Sequence, residues 1–183
     1  YQETKIEKYK DLAIRSTDFV VDKQKADGKW NYSIKLESGK ERTQVDFHQG
    51  YVIDSLGYVM KYIPSTKEKY QIYLQKGLDY YQKNQFLANG QSIYRFPSKW
   101  PVEIHNQAQG IITFARWSDL NEEYISQSTK IAAYTIDQMR SNKGFFYYKK
   151  YPLFTIKIPF MRWSQAWMLL ALTELLHHQK VQN

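Results

Sequence analysis

Cysteine is absent from the 183 residues of the sequence. That absence excludes disulfide bonds, thiolate metal sites and cysteine nucleophiles together. Long apolar runs are absent as well, because the most apolar stretch, residues 167–176, is shorter than the about 18 residues that a membrane-spanning helix needs. We therefore predict that the chain does not span a membrane.

The first residue is Tyr1 rather than Met, and no signal peptide is visible in the sequence. We expect a processed chain or a fragment of a longer protein. The compartment stays open at this point, with the cytoplasm favoured.

Basic residues are numerous but scattered. The 26 Lys and Arg outnumber the 18 Asp and Glu, which gives a formal net charge of +8. Nucleic-acid-binding proteins concentrate such charge on one face or arm, so we predict no nucleic-acid partner. An acidic polysaccharide fits the sign of the charge equally well. The 16 Tyr and 5 Trp favour a saccharide too, because their rings combine an apolar face with a polar tip.

Two sequence marks recur three times along the chain. The first is a glutamine followed by a small residue and a helical apolar run, and it occurs at Gln49, Gln109 and Gln165. The second is a Gly-x-x-x-Tyr pattern upstream of each glutamine, and it begins at Gly28, Gly90 and Gly144. Marks that recur at similar mutual spacing indicate a repeat. We expect the three glutamines to be buried amides that bridge one repeat to the next.

Helices of two kinds alternate along the sequence. One kind is apolar on one side only, as in a helix with a wet outer face, and is predicted over residues 4–24, 66–86 and 121–141. The other kind is richer in apolar residues and carries little charge, and is predicted over residues 47–62, 105–117 and 162–178. We call them outer and inner helices. Links from inner to outer helices are short, and links from outer to inner helices are long.

This arrangement resembles the six-hairpin α/α toroids of carbohydrate-active enzymes, among them N-acylglucosamine epimerases, the C-terminal domains of glucuronyl C5-epimerases, unsaturated glucuronyl hydrolases and many glycosidases. The resemblance implies parallel inner helices around a central space, shielded by outer helices. Three hairpins are half of such a ring. The predicted fold is therefore all-α, with three helical hairpins that form half of, or the C-terminal part of, an (α/α)6 toroid, as one domain over residues 1–183.

A second resemblance is more local. Residues 24–30, QKADGKW, are similar to the Gln-x-x-x-Gly-x-Trp motif of terpene-cyclase and prenyltransferase toroids. The other two copies lack the Trp, and the sequence has neither the cysteine of the prenyltransferase zinc site nor an Asp-rich motif. Asp46 and His48 are two residues apart, which does not suit metal binding from one helix face, so we predict no metal and no cofactor.

The resemblance places the active site where the long links reach the N-termini of the inner helices. Helix N-termini also favour anionic or polar ligands, because they present N–H groups and partial positive charge. A carboxylate-x-His pattern occurs there twice, and it supplies the candidate catalytic residues Asp46, His48, Glu103 and His105. The candidate substrate-binding residues are Trp30, Trp100, Asn106, Arg162 and Trp163.

Several functions fit this set. Paired histidines could move a proton next to a carbonyl, as in the epimerases of similar plan. A pair of carboxylates could hydrolyse a glycosidic bond. A histidine base, with Arg162 and Asn106 neutralising a uronate, could support a lyase. The leading hypothesis is thus a carbohydrate-active protein that acts on or binds a poly- or oligosaccharide, in polysaccharide biosynthesis or modification.

Structural roles are the alternative for the same residues. Asp46 and Glu103 could cap helices, and His48 and His105 could be partly buried structural residues. A non-catalytic scaffold or partner-binding module is the second hypothesis, because half a ring leaves an open apolar flank. A homodimer or an upstream half of the toroid would cover that flank.

Overall fold

Helices dominate the structure. A computed structural model describes residues 1–181. Within that range the helices are α1 (Glu7–Asp22), α2 (His48–Tyr62), α3 (Lys67–Gln85), α4 (Ile104–Arg116), α5 (Glu123–Met139) and α6 (Trp167–Val181). All six predicted helices are confirmed, but α6 begins later than predicted. A π-helical turn, Met161–Ala166, occupies the start of the predicted inner helix.

Short antiparallel strands occur only in the long links of the part that the structure describes. The first link contains β1 (Ser33–Ile34) paired with β2 (Glu41–Arg42). A second sheet has the order β3 (Val102–Glu103), β4 (Lys149–Lys150), β5 (Thr155–Ile156). No helix within residues 1–181 has the length and apolar character needed to cross a membrane.

Burial distinguishes the predicted inner helix α4 from the predicted outer helix α5, whereas the predicted inner helices α2 and α6 are partly exposed. Every residue of α4 from Ile104 to Ala115 is buried. In α5 the buried positions follow helical steps of three and four, as in Tyr124, Ser128 and Ile131. An amphipathic helix buries one such stripe, whereas a helix that is buried all round lies in the protein core.

Residue contacts divide the chain into two compact units. Unit 1 runs from Tyr1 to Lys83, and unit 2 begins at Asn84. The fully buried side chains of unit 1 include Ile53, Tyr70, Leu78 and Tyr81. Those of unit 2 include Ile111, Phe114, Ile131, Met139 and Met168. The single domain over residues 1–183 stays a prediction.

The three glycines of the repeat adopt the same turn. Gly28, Gly90 and Gly144 have φ values of 96°, 91° and 89°. Each glycine donates its N–H to the carbonyl three residues earlier, at 2.9–3.0 Å. L-residues rarely adopt such positive φ values, so the turn explains why glycine recurs in each copy.

The repeated glutamines bind the loop that precedes their own helix. Gln49 accepts the N–H of Trp30 and donates to its carbonyl, at 2.9 and 2.6 Å. Gln165 makes the same pair of bonds with Phe146, at 3.0 and 2.8 Å. Trp30 and Phe146 each lie two residues after the repeat glycine. The predicted bridge from one repeat to the next is therefore wrong for these two copies.

The second copy uses a different glutamine from the one predicted. Gln107, not Gln109, accepts the N–H of Ser92, two residues after Gly90, at 2.5 Å. Gln107 also donates to Thr135 in α5, so this copy does link two repeats. The second loop is four residues shorter between the glycine and its glutamine, and the Gln-Gly pattern at Gln109 therefore gave the wrong register.

Candidate functional site

The candidate pair Asp46 and His48 is joined at the start of α2. Nδ1 of His48 lies 2.6 Å from Oδ1 of Asp46, and the same oxygen accepts the backbone N–H of His48 at 3.1 Å. The Asp46 side chain is 4% exposed, whereas that of His48 is 39% exposed. One buried carboxylate therefore holds both the first backbone N–H of α2 and its imidazole ring, and Nε2 is the ring nitrogen left for a ligand.

Two further side chains extend this pair into a series of hydrogen bonds. Gln44 donates from Nε2 to Oδ2 of Asp46, and Arg42 donates from Nη2 to Oε1 of Gln44, both at 2.5 Å. These side chains alternate along an extended segment, and the intervening Val45 is 3% exposed. Alternate side chains of extended backbone lie on opposite sides, so burial of Val45 turns the polar ones the other way. We call them the Arg42–His48 series.

Aromatic rings surround the His48 imidazole. The Phe47 ring stacks on it at 4.3 Å between centroids, and the rings of Tyr32 and Tyr51 meet it edge-on at 4.8 and 5.7 Å. The guanidinium of Arg42 lies 4.6 Å from the centroid of Tyr32, which is 42% exposed. Tyr32 therefore contacts both ends of the Arg42–His48 series. An exposed ring beside a cation suits a sugar ring that carries negative charge.

Burial and hydrogen bonds shift the pKa values of Asp46 and Tyr51 at the start of α2. Burial by itself raises the pKa of Asp46, but hydrogen bonds from His48 and Gln44 outweigh it, and the pKa lies below the ordinary 3.8. Burial, together with the charges of Asp54 and Asp46, raises the pKa of Tyr51. Asp46 is therefore a carboxylate at neutral pH. Because a carboxylate only accepts hydrogen bonds, Nδ1 of His48 carries a hydrogen and donates it to Asp46, which leaves Nε2 as the ring nitrogen that can act on a ligand.

We expect Asp46 to stabilise the protein at neutral pH and to lose that effect in acid. A group whose pKa is lower in the folded state stabilises fully above its unfolded pKa, and its contribution is lost as the pH falls through the folded value. In urea unfolding, Asp46→Asn should cost about 1–2 kcal/mol at pH 7, as for hydrogen bonds to a charged group. The cost should shrink below pH 3.8.

The control for this measurement is Asp11→Asn, which changes an exposed carboxylate of α1. Its cost at neutral pH should be smaller than that of Asp46→Asn. A penalty for Asp46→Asn that stays constant down to about pH 2 would contradict the assignment.

The second candidate carboxylate, Glu103, lies in β3 of unit 2 and makes no side-chain cap to α4. It pairs across the sheet with Lys149, whose Nζ is 3.7 Å from Oε1 of Glu103. The same ammonium lies 4.7 and 5.2 Å from the ring centroids of Tyr148 and Tyr94. Burial lowers the pKa of Lys149, but the charge of Glu103 together with the interactions with Tyr148 and Tyr94 outweighs it, and the pKa is raised. Glu103 thus belongs to an ion pair, not to a helix cap.

The two polar residues that follow Glu103 are buried. His105 is 3% exposed, and its ring centroid lies 4.6 Å from that of Trp167 and 5.6 Å from that of Trp163. Asn106, also 3% exposed, donates from Nδ2 to two carbonyls of the preceding loop. The start of α4 is therefore closed, and the roles of His105 and Asn106 as site residues stay predictions. Because α4 is buried all round, its polar residues bond to the protein instead.

Trp30 is also buried, at 5% exposure, although we expected a loop residue that contacts substrate. Its Nε1 donates to the carbonyl of Val20 at 2.8 Å. The indole lies against Gly77, where an added Cβ would come within 2.8 Å of the ring. The lack of a side chain at Gly77 makes room for the indole, which packs inside unit 1.

Three of the predicted substrate-binding residues are exposed. Trp100 is 37% exposed and Trp163 is 45% exposed. Arg162 places its guanidinium 5.0 Å from the ring of Trp163. Arg162 and Trp163 lie in the π-helical turn that precedes α6. These side chains are available to a ligand.

The carboxylate-x-His patterns belong to different units. Asp46 and His48 lie in unit 1, and Glu103 and His105 lie in unit 2. Their convergence on one concavity stays a prediction. Among residues 1–181 no three His, Asp or Glu side chains form a metal-ligand group.

Sequence reasoning missed Arg42, Gln44 and Tyr32 as site residues. The stretch RTQVDFH, residues 42–48, alternates polar and apolar positions in its second half, which is the signal of a strand with one buried side. Tyr32 is the last residue of the first Gly-x-x-x-Tyr mark. That mark identified the repeat, but it gave no indication that its tyrosine contacts a histidine.

Solved structures of similar fold are carbohydrate-active enzymes. The unsaturated glucuronyl hydrolase of Bacillus sp. GL1, responsible for glycosaminoglycan degradation, matches with a TM-score of 0.72 and 14% identity, over 95% of this chain and 51% of that one. A heparin-specific unsaturated glucuronyl hydrolase matches at 0.73 and 12% identity, over 98% and 54%. Cellobiose 2-epimerase from Bacillus thermoamylovorans B4167 matches at 0.76 and 14% identity, over 98% and 49%.

No protein-family model and no curated protein sequence matches the chain. The chain spans about half the length of the enzymes that it resembles in structure. At these identities the likeness concerns the fold, and it agrees with the helix order and the repeat. The chain therefore has the fold of one half of an α/α toroid of the kind found in carbohydrate-active enzymes.

Proposed function

We propose that this protein binds an acidic oligo- or polysaccharide at the N-terminal end of α2 and that His48 transfers a proton of the bound sugar. The observation that carries the proposal is the Arg42–His48 series. It combines an exposed cation, a buried carboxylate and an imidazole oriented by that carboxylate. Enzymes with this fold act on saccharides, which supports the choice of ligand class.

Proton transfer suits this geometry better than attack by a carboxylate. Asp46 is buried, and both of its oxygens accept hydrogen bonds. A retaining glycosidase needs a carboxylate that can reach the anomeric carbon. By contrast, Nε2 of His48 is an oriented base that could take a proton from a carbon next to a carbonyl or carboxylate. The proposal therefore favours epimerase or lyase chemistry over hydrolysis.

An acidic substrate suits Arg42. Its guanidinium is held by Gln44 and by the face of Tyr32, so the planar fork is already oriented. Such a fork can form two parallel hydrogen bonds with a carboxylate. The net charge of +8 has the matching sign. Unit 2, taken by itself, has a second candidate saccharide site, to which Glu103, Lys149, Trp100, Arg162 and Trp163 would belong.

Binding measurements test the role of Arg42. In calorimetric titrations with a glucuronate-containing disaccharide, Arg42→Gln should weaken binding about tenfold, as expected for loss of a charge-assisted contact. Cellobiose, a neutral disaccharide, should bind wild type and variant alike. The matched control is Lys40→Gln, which removes an exposed charge from the same β1–β2 hairpin. Equal losses of affinity in the two variants would show that Arg42 contributes only to the overall positive charge and makes no specific contact with the saccharide.

Isotope exchange in the same samples tests the role of His48. Wild type in D2O should introduce deuterium into a carbon position of the acidic disaccharide, and His48→Gln should abolish this while leaving binding within about twofold. Preserved exchange in His48→Gln would contradict the proton-transfer role. If neither disaccharide binds wild type, the proposal fails, and the non-catalytic partner-binding module becomes the better description.

A further inference from the structure

Helix α6 has apolar side chains on a buried face and on a neighbouring exposed face. Met168, Ala171 and Leu175 are buried on one face. On the other, Leu169 is 71% exposed and Leu176, two turns further on, is 57% exposed. These two leucines form an exposed strip that we call the α6 ridge.

The ridge differs from the corresponding part of α4. Both are predicted inner helices, and α4 is buried along its whole length from Ile104 to Ala115. An apolar helix that is buried on one side only leaves a contiguous apolar surface, which marks an interaction site. The exposed residues of the ridge are therefore of the apolar kind that is normally buried against another element.

Unit 1 has an apolar groove between α1 and α2. Two adjoining cavities of about 450 and 350 Å³ follow these two helices. They share the lining residues Ala13 and Val59. We call this the α1–α2 groove. Most of the side chains that line the 350 Å³ cavity are small or β-branched, among them Ala13, Ser16, Val52 and Ser55, which leaves room for large side chains from a partner.

The repeat glycines show where a partner would lie. A Cβ added at Gly28 would come within 2.2 Å of the carbonyl oxygen of Lys76 in α3, and one added at Gly90 within 2.5 Å of that of Lys130 in α5. Each glycine thus abuts the outer helix of the next repeat. Gly144 has the same conformation, but nothing among the described residues lies within 4 Å of its added Cβ.

The missing neighbour of Gly144 corresponds to α1. Lys76 lies 14 residues before Gly90, and Lys130 lies 14 residues before Gly144. The same interval counted back from Gly28 gives Ile14 of α1 as the equivalent position in the first repeat. A second copy of α1 can therefore supply the helix backbone that the third turn lacks.

We propose that two copies of this chain associate. The α6 ridge of each copy lies in the α1–α2 groove of the other, and α1 of each copy lies beside Gly144 of the other. One copy covers 51% and 49% of two enzymes of this fold, so two copies have the length of one toroid. A groove on one unit and a ridge on the other let two copies related by a twofold axis make the same contact twice, which is the self-complementary interface of a C2 dimer.

Sedimentation equilibrium tests the association. Wild type should form a dimer, and Leu169→Lys should weaken the dimer at least tenfold, because a charge would enter an apolar contact. The matched control is Leu153→Lys, which changes a leucine that is 96% exposed in the turn between β4 and β5 and should leave the dimer unchanged. From the other side of the contact, Ser55→Arg should fill the groove and also weaken the dimer at least tenfold.

Disulfide cross-linking tests the position of Gly144. The added Cβ of Gly28 lies 3.3 Å from Cβ of Tyr80 in α3. By the same alignment of the repeats, the position in α1 that is equivalent to Tyr80 is Asp18. Because the chain has no cysteine, Asp18→Cys with Gly144→Cys should give a covalent dimer on oxidation. The control pairs Asp18→Cys with Gly39→Cys, another glycine of positive φ with open space, and should stay uncross-linked.

Two results would overturn the proposal. One is a wild-type chain that stays monomeric at all concentrations up to about 1 mM, the range of weak association. The ridge and groove would then be covered by hairpins of the same polypeptide. The other is a dimer that withstands both Leu169→Lys and Ser55→Arg, which would place its interface elsewhere.

Discussion

Gly90→Ala should destabilise unit 2 by about 3–4 kcal/mol, as the sum of backbone strain and overpacking. The backbone φ of 91° costs an L-residue about 1–2 kcal/mol. In addition, the new Cβ would lie 2.5 Å from the carbonyl oxygen of Lys130 and 3.1 Å from Cα of Ile131. These are backbone atoms of α5, which cannot move without disturbing helix hydrogen bonds, and overpacking of this kind adds about 1–3 kcal/mol. Urea unfolding followed by circular dichroism measures the loss.

Gly144→Ala is the matched control, because the φ of Gly144 is 89° and its added Cβ has open space within the described part of the chain. It should cost only the backbone strain, about 1–2 kcal/mol. Both variants should be measured at a concentration low enough to keep the chain monomeric, so that association does not add to the result. Equal losses would show that the approach of α5 to Gly90 contributes nothing.

Gln107→Met should destabilise unit 2 by about 3 kcal/mol, because it leaves buried partners without a hydrogen bond. The Gln107 side chain is fully buried and joins the N–H of Ser92, the carbonyl of Gly90 and the hydroxyl of Thr135. Methionine has a similar shape but no such hydrogen-bonding groups. Each unsatisfied buried group costs about 1–3 kcal/mol. Hydrogen exchange of the Ser92 amide should accelerate in step with the loss of stability.

The control for this substitution is Gln165→Met. Gln165 makes the same two backbone bonds with Phe146, but it is only partly buried. Water can therefore replace the lost partners, and the expected cost is about 1 kcal/mol. A larger loss from Gln165→Met than from Gln107→Met would contradict the view that burial makes the second bridge the stronger one.

The helices of this protein were predictable because their signals are local. Apolar residues at steps of three and four separate α5, with one buried stripe, from α4, which is buried all round. The three repeat turns were equally predictable from their glycines, since a positive φ favours glycine independently of the rest of the fold. The start of α6 could not be predicted from the sequence. A π-helical turn precedes it, and such a turn differs from an α-helix in its hydrogen-bonding pattern, which the apolar periodicity does not reveal.

Assignments that depend on distant partners were less successful. Gln107 and Gln109 are both buried polar residues of one helix, and nothing in their sequence context separates them. Only the length of the second loop decides which one reaches Ser92. His48 and His105 likewise follow the same carboxylate-x-His pattern. One lies in a partly exposed first turn, whereas the other is packed against two indole rings.

Residue order alone thus established an all-α repeat with alternating helices, because periodicity and turn chemistry act over a few residues. Three-dimensional packing established which polar residues are available for chemistry. It buried His105, Asn106 and Trp30, left His48 partly exposed, and connected His48 through Asp46 and Gln44 to Arg42. The sequence could not show which polar residues are exposed, because burial depends on the elements that cover a side chain, and those elements are remote in sequence.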